Sequence, residues 1–142
     1  MKNYQTYQPS ADCKKCGGEC CKTMGCHYSP RDFKSLTFEA LKFEISKGRI
    51  SIDWWEDPSG PQYYLRARNI GEPIVCGSWG GVCVNLTPTG CALSWEERPL
   101  GGRALKPTYY RRKCIGSYSK EDCKNEWQEY AGLLELLVEY FR

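Results

Sequence analysis

Four cysteines within nine residues constrain this chain more than any other feature of its sequence. The segment 13–21 reads Cys-Lys-Lys-Cys-Gly-Gly-Glu-Cys-Cys. In a Cys-x-x-Cys pair such as Cys13 and Cys16, both sulfur atoms can reach one metal ion from a tight turn. Cys20 and Cys21 are adjacent, so their side chains diverge and suit two separate sites or two corners of a cluster. A disulfide knot or buried thiols are the alternative, but these spacings favour metal ligation.

Length and composition predict one small, loop-rich domain. The chain has 142 residues, with 10 cysteines, 14 glycines and 8 prolines. We divide it into a polar N-terminal arm, residues 1–12, and a single cysteine-cluster domain, residues 13–142. The net charge of +3 gives no argument for a nucleic-acid partner.

The absence of long apolar segments predicts a cytoplasmic protein. The arm lacks an apolar run, so we expect no signal peptide. The longest apolar stretch, 133–138, is interrupted by Glu135 and is too short to span a membrane. In the cytoplasm thiols stay reduced unless a metal binds them, which strengthens the metal interpretation.

Two parts of the chain resemble the YkgJ-type cysteine-cluster family, whose members are described as zinc- or iron-chelating domains. The segment 13–21 is similar to the CxxCxxxCC signature of that family. A second block, in 83–86, 90–93 and 97–107, resembles its Cys-x-x-Leu, Gly-Cys and Arg-Pro-x-x-Cys-Arg motifs. The last motif departs from the family pattern, because Gly102 stands where the cysteine is expected.

The resemblance implies eight thiolate ligands in two sites, of which this chain matches seven. The metal ion would be zinc, or iron alone or in an iron–sulfur cluster. The ligands that we predict are Cys13, Cys16, Cys20, Cys21, Cys83, Cys91 and Cys114.

The cysteine missing at Gly102 leaves one coordination position to account for. Three residues near a matched ligand are candidates to fill it: Cys26, His27 and Cys76. We expect substitution rather than a vacancy, because an unfilled structural site loses binding energy. For Cys76 and Cys123 the simpler expectation is a packing thiol.

The first half of the domain predicts two short helices followed by a β-hairpin. Ser29–Asp32 is a helix start with a hydroxyl cap and a proline in the first turn. A second helix is predicted from Thr37, closing at Gly48. From Arg49 the apolar period changes to two, which predicts a half-buried strand, a turn and a second strand over 63–70.

The second half predicts another turn, a basic stretch and a helix. A strand from Cys83 and a turn over 87–90 would bring Cys91 back beside Cys83. The stretch 98–113 has six basic residues and no acid; it is either a phosphate-binding face or, as we favour, a set of cations that offset a thiolate-bound metal. Ser119 caps a C-terminal amphipathic helix.

These features predict an α+β domain of short helices and a β-hairpin, assembled around cysteine-ligated metal. Three hypotheses of function compete. The chain is a metal-binding protein, an iron–sulfur-dependent redox or group-transfer enzyme with an open coordination position, or a thiol–disulfide protein. The single histidine and the absence of recognisable catalytic motifs favour the first, and leave an enzymatic role open.

Overall fold

The computed structural model describes residues 3–7, 26–77, 80–88, 90–106 and 115–142. Within these ranges the strands are β1 (His27–Tyr28), β2 (Ile50–Asp57), β3 (Gly60–Ala67), β4 (Leu86–Thr87), β5 (Gly90–Cys91), β6 (Leu105–Lys106) and β7 (Ile115–Gly116). The α-helices are α1 (Phe38–Glu44), α2 (Leu100–Arg103), α3 (Lys120–Trp127) and α4 (Ala131–Phe141). Tighter or wider helical turns cover Pro30–Asp32, Ile45–Arg49 and Gln128–Tyr130. These elements form a small α+β domain, as predicted.

The central sheet is an antiparallel arrangement of three strands in the order β1-β3-β2. Strands β2 and β3 pair from Ile50 opposite Ala67 to Asp57 opposite Gly60, so the predicted hairpin is confirmed. Its second strand begins three residues earlier than predicted, because the turn needs only two residues, 58–59. Strands β4 and β5, and β6 and β7, form two further short antiparallel pairs.

Both helices predicted before the hairpin are present, and the first is shorter than predicted. Ser29 caps it, with Asp32 completing a reciprocal capping box, but it ends after one 3-10 turn at Asp32. Phe33 is already extended and packs its ring 5.6 Å from that of Tyr28. Thr37 starts α1 by accepting a hydrogen bond from the Ala40 N–H, as expected.

The predicted C-terminal helix is divided into α3 and α4 by a 3-10 turn. Ser119 caps α3 with a second capping box. Trp127, Leu134 and Leu137 are fully buried, which fixes the apolar side of both helices against the sheet. The indole N–H of Trp127 donates to the Tyr28 carbonyl at 2.7 Å, joining α3 to β1.

The described part of the N-terminal arm, residues 3–7, lies against the body of the domain. The Tyr7 N–H donates to the Arg103 carbonyl at 2.8 Å, and the Tyr7 carbonyl accepts from the Trp95 indole at 2.8 Å. The Tyr4 ring packs edge-on against Tyr118. No helix in the described part of the chain is long and apolar enough to cross a membrane.

A fully buried arginine, Arg66 on β3, forms the densest polar network in the described residues. Its Nε donates to Asp53 at 2.8 Å. One terminal nitrogen donates to Glu72 at 2.5 Å and to the Ala67 carbonyl, and the other to Glu72 and the Cys76 carbonyl. All five guanidinium N–H groups therefore have an acceptor.

This network explains a departure from the predicted half-buried strand. The period-two pattern placed Ser51 and Asp53 on the polar side of β2, but both are buried. Asp53 faces the Arg66 guanidinium, and the Ser51 hydroxyl donates to Glu72 at 3.0 Å. Their polar atoms are satisfied inside the protein, so they need no contact with water.

The network predicts a loss of stability in acid. Burial alone would raise the pKa of Glu72, but hydrogen bonds from Arg66, the Asn69 N–H and Ser51 lower it below its ordinary value of 4.5. A carboxyl with a lowered folded-state pKa stabilises the protein above its unfolded pKa and loses that effect as pH falls through the folded value. Glu72→Gln should therefore lower the free energy of unfolding near neutral pH by about 2 kcal/mol. The variant should also lose less stability than the parent below pH 4.5.

Urea unfolding at a series of pH values measures both effects. Glu135→Gln, the same change at an exposed position on α4, is the matched control and should leave the profile unchanged. Parallel pH profiles for the parent and Glu72→Gln would contradict this account of the network.

Candidate metal centre

Tyr28 on β1 is a buried residue whose pKa is affected by three of the described cysteines. Burial raises the pKa of its phenol, and nearby negative charge raises it further. The groups that contribute this charge are Asp32, Cys83, Cys26 and Cys91. Backbone contacts place Cys26 beside Ala67 at the end of β3, and Cys83 beside Asn69, two residues further along.

Cys83 is held by backbone pairing with the chain that continues from β3. It pairs with Asn69, and the next residue, Val84, donates its N–H to the Arg68 carbonyl at 2.9 Å. The Asn85 N–H points at the Cys83 sulfur at 3.5 Å. A backbone donor two residues beyond a cysteine stabilises the thiolate form, which is the form that binds metal.

Cys91 is positioned by the second hairpin. It lies on β5 opposite Leu86, and the Ala92 N–H donates to the Asn85 carbonyl at 2.7 Å. The predicted turn is confirmed, but its first strand begins at Leu86 rather than at Cys83. Cys91 therefore pairs three residues beyond Cys83, with Leu86, and the Leu86 N–H donates to the Cys83 carbonyl at 3.1 Å.

Cys26 precedes β1 and lies against α2. Its carbonyl accepts the Ala67 N–H at 2.8 Å, which fixes it to the end of β3. A Cβ atom built at Gly102 would lie 3.6 Å from the Cys26 sulfur and 3.7 Å from its Cβ. The position where the resemblance expects a cysteine is therefore next to the thiol of Cys26.

A single carboxylate joins the two segments that meet there. One oxygen of Asp32 accepts the N–H groups of Ser29 and Leu100, each at 2.8 Å. The other accepts the Arg103 guanidinium at 2.5 Å. Asp32 thus ties the turn after β1 to both ends of α2.

His27 has a structural environment. Its side chain is buried, with the ring 5.5 Å from that of Tyr64. Burial, followed by the positive charges of Lys120 and Arg66, lowers the pKa of His27 to about 4. The imidazole is therefore neutral near pH 7, and its Nε2 has no hydrogen-bond partner among the described residues.

Cys76 belongs to the surroundings of the Arg66 network. Its N–H donates to the Ile52 carbonyl at 3.0 Å, and its own carbonyl accepts from Arg66. Burial and the nearby Glu72 carboxylate raise the pKa of the Cys76 thiol. Cys123 is fully buried, and its thiol donates to the Tyr28 carbonyl at 3.3 Å, as a packing thiol would.

Part of the predicted ligand set lies outside the described residues: Cys13, Cys16, Cys20, Cys21 and Cys114. Among the residues that are described, no three His, Cys, Asp or Glu side chains are placed to hold a metal ion together. Cys83 and Cys91 thus share a neighbourhood but not a complete ligand set. No disulfide joins two of the described cysteines.

The described part of the basic stretch places two arginines beside this region. Arg103 donates to Asp32 and, through Nε, to the Arg98 carbonyl at 3.0 Å. The Cβ of Arg98 lies 3.7 Å from the Cβ position at Gly102. The buried Arg98 Nε has no acceptor among the described residues. The remaining basic side chains, from Lys106 to Lys113, are not described.

Comparison with known protein families, curated proteins and solved structures finds no match for this chain. The resemblance to the cysteine-cluster family therefore stays a prediction, resting on the segments 13–21 and 83–107. The function has to be argued from the residues themselves.

Neighbouring glycines on α2 give a matched test of this geometry. A Cβ at Gly101 would lie 2.7 Å from the backbone nitrogen of His27 and 2.8 Å from its backbone oxygen. Real Cβ atoms do not approach other atoms this closely. Gly101→Ala should destabilise the protein by roughly 1–3 kcal/mol, because α2 must move off β1. Gly102→Ala has ordinary contacts of 3.6–3.7 Å and should be neutral or slightly stabilising. Urea unfolding compares the two, and equal effects would show that α2 does not pack on β1 in this way.

Proposed function

We propose that this chain is a metal-binding protein that holds zinc, or an iron or iron–sulfur centre, through cysteine thiolates. The proposed ligands are Cys13, Cys16, Cys20, Cys21, Cys83, Cys91 and Cys114. Thiolate sets of this kind suit structural zinc sites and iron–sulfur clusters alike.

The observation that carries the proposal is the backbone placement of three cysteines from separate segments. The Cys26 carbonyl accepts the Ala67 N–H at the end of β3, and Cys83 pairs with Asn69 two residues further along. Cys91 lies opposite Leu86, whose N–H donates to the Cys83 carbonyl at 3.1 Å. Packing alone does not require this arrangement. A shared centre completed by the cysteines of segment 13–21 accounts for it.

The chemistry of the described residues fits such a centre in two respects. The Asn85 N–H supports the charged form of Cys83. The Arg98 Cβ lies 3.7 Å from the Cβ position at Gly102, and the buried Arg98 Nε has no acceptor among the described residues. Four thiolates around one zinc ion carry a net charge of about −2, and nearby cations and N–H donors stabilise that charge.

An enzymatic role is the second candidate, and a cleft beside Tyr28 favours it. The cleft has a volume of about 740 Å³ and is lined by Tyr28 and by Ala92 and Leu93, which follow Cys91. Lys34 and Arg49 are among its basic residues, but acidic side chains line it as well. A redox or group-transfer substrate could bind in this cleft, next to the residues that follow Cys91, if the metal keeps an open coordination position.

Metal analysis of anaerobically purified protein, together with its absorbance spectrum, tests the proposal. Zinc in a colourless protein supports a structural or binding role, whereas iron with a brown chromophore supports the iron–sulfur enzyme. Protein that contains neither metal, and takes up neither after reconstitution, would contradict both.

Single substitutions assign the ligands that the structure describes. Cys83→Ser and Cys91→Ser should each lower the bound metal and the free energy of unfolding, because metal binding and folding are linked. Cys123→Ala is the control: it removes a buried thiol that donates to the Tyr28 carbonyl, and should keep the full metal content at a stability loss of about 1 kcal/mol. Full metal content in both serine variants would remove Cys83 and Cys91 from the ligand set.

A further inference from the structure

A groove is formed by the N-terminal arm, the segment that follows β1, and α3. Its volume is about 620 Å³, within the range of roughly 300–1,000 Å³ that is typical of ligand pockets. The rings of Tyr4, Phe33 and Tyr130 belong to its apolar lining. Its acidic lining includes Asp122 and Glu126, which are one turn apart on α3.

Packing inside the domain holds two of these rings in place. The Phe33 ring lies 5.6 Å from the ring of Tyr28 and 5.9 Å from that of the fully buried Trp127. The Tyr130 ring packs edge-on against the same Trp127, also at 5.9 Å. Because these contacts order the rings before any ligand arrives, stacking against them costs little further conformational entropy.

The groove carries more negative than positive charge. Its lining has three carboxylates, those of Asp122, Glu126 and Glu129, and one guanidinium, that of Arg31, which leaves a net charge of −2. Burial, followed by the charges of Asp122 and Glu126, raises the pKa of Tyr4 to about 12. The groove therefore attracts cations and repels nucleic acids and other polyanions.

Arg31 shows how side chains in this groove hold a guanidinium. One of its terminal nitrogens donates to Glu126 at 2.6 Å, and its Cζ lies 5.4 Å from the centre of the Tyr4 ring. A carboxylate and an aromatic face are thus used together. Glu129 and its neighbour Tyr130 supply the same two groups, and Glu129 forms no salt bridge within the described part of the chain.

The chemistry of the lining selects an organic cation, and a guanidinium in particular. In the part of the chain that the structure describes, no three His, Cys, Asp or Glu side chains are placed to hold a metal ion. A guanidinium is planar, stays charged, stacks on aromatic rings and donates two N–H groups to one carboxylate. An ammonium group has the charge but lacks this shape.

We propose that the groove is a docking site for a basic segment of a partner protein, with an arginine side chain of that segment between the Tyr130 ring and the Glu129 carboxylate. Arg31 already occupies the corresponding pair, Tyr4 and Glu126. The docking site does not depend on the proposed metal centre, because neither Cys83 nor Cys91 lines the groove.

Fluorescence anisotropy with a labelled peptide, Gly-Arg-Leu-Arg-Gly, tests the docking site on the full chain. Binding should weaken as the salt concentration rises, since the groove and the peptide carry opposite charges. The same peptide with citrulline in place of both arginines keeps the shape and loses the charge, and should bind roughly tenfold more weakly or worse. A peptide with lysines should fall between the two. Equal binding of the arginine and citrulline peptides, or no binding of either, would overturn the proposal.

Two charge-neutralising variants locate the bound arginine. Glu129→Gln changes an exposed side chain in the groove and should weaken binding of the arginine peptide by roughly three- to tenfold. Glu121→Gln is the matched control, because Glu121 is exposed on α3 but does not line the groove, and it should leave binding unchanged. Equal losses in both variants would show only attraction to the net charge of the protein, and the proposed site would be wrong.

A spectroscopic measurement checks the position without any substitution. In ¹H–¹⁵N spectra of the chain, the arginine peptide should shift the amide signals of Phe33, Glu129 and Tyr130. The signals of Leu136 and Glu139, on a separate exposed part of α4, should stay in place. Shifts confined to residues outside the groove would contradict docking there.

Discussion

The burial of one charged side chain, Arg66, is the constraint on which the rest of the fold depends. A guanidinium can leave water only if its charge is balanced and each N–H has an acceptor. The acceptors come from β2 through Asp53 and from the following loop through Glu72 and the Cys76 carbonyl. Because removal of any of these partners would leave a buried charge or a buried N–H group uncompensated, the hairpin and the loop have one favourable arrangement.

The strand that carries Arg66 also organises the thiols. On one side Ala67 donates to the Cys26 carbonyl, and just beyond the end of β3 Asn69 pairs with Cys83. Two cysteines that are distant in sequence thus lie along neighbouring stretches of one strand and its continuation. The proposed centre depends on this strand before any metal ligand is considered.

Local features of this protein were predictable from sequence, and long-range ones were not. The caps at Ser29 and Ser119 depend on residues within one helical turn, so their sequence signals were sufficient. The burial of Asp53 depends on a partner across the hairpin, and a period-two pattern read along one strand does not contain it. The approach of Cys26 to position 102 depends on how α2 packs on β1. Sequence therefore named the candidate residues, whereas their positions relative to one another depend on tertiary packing.

The Asp32 carboxylate has a consequence for the energetics of any ligand bound nearby. It joins the turn after β1 to α2 through protein hydrogen bonds alone. The segments that carry Cys26 and Gly102 are thus preorganised, and ordering them does not draw on the free energy of binding. A larger share of that free energy therefore contributes to affinity. When the ligand dissociates, this part of the scaffold stays folded and can bind another ligand.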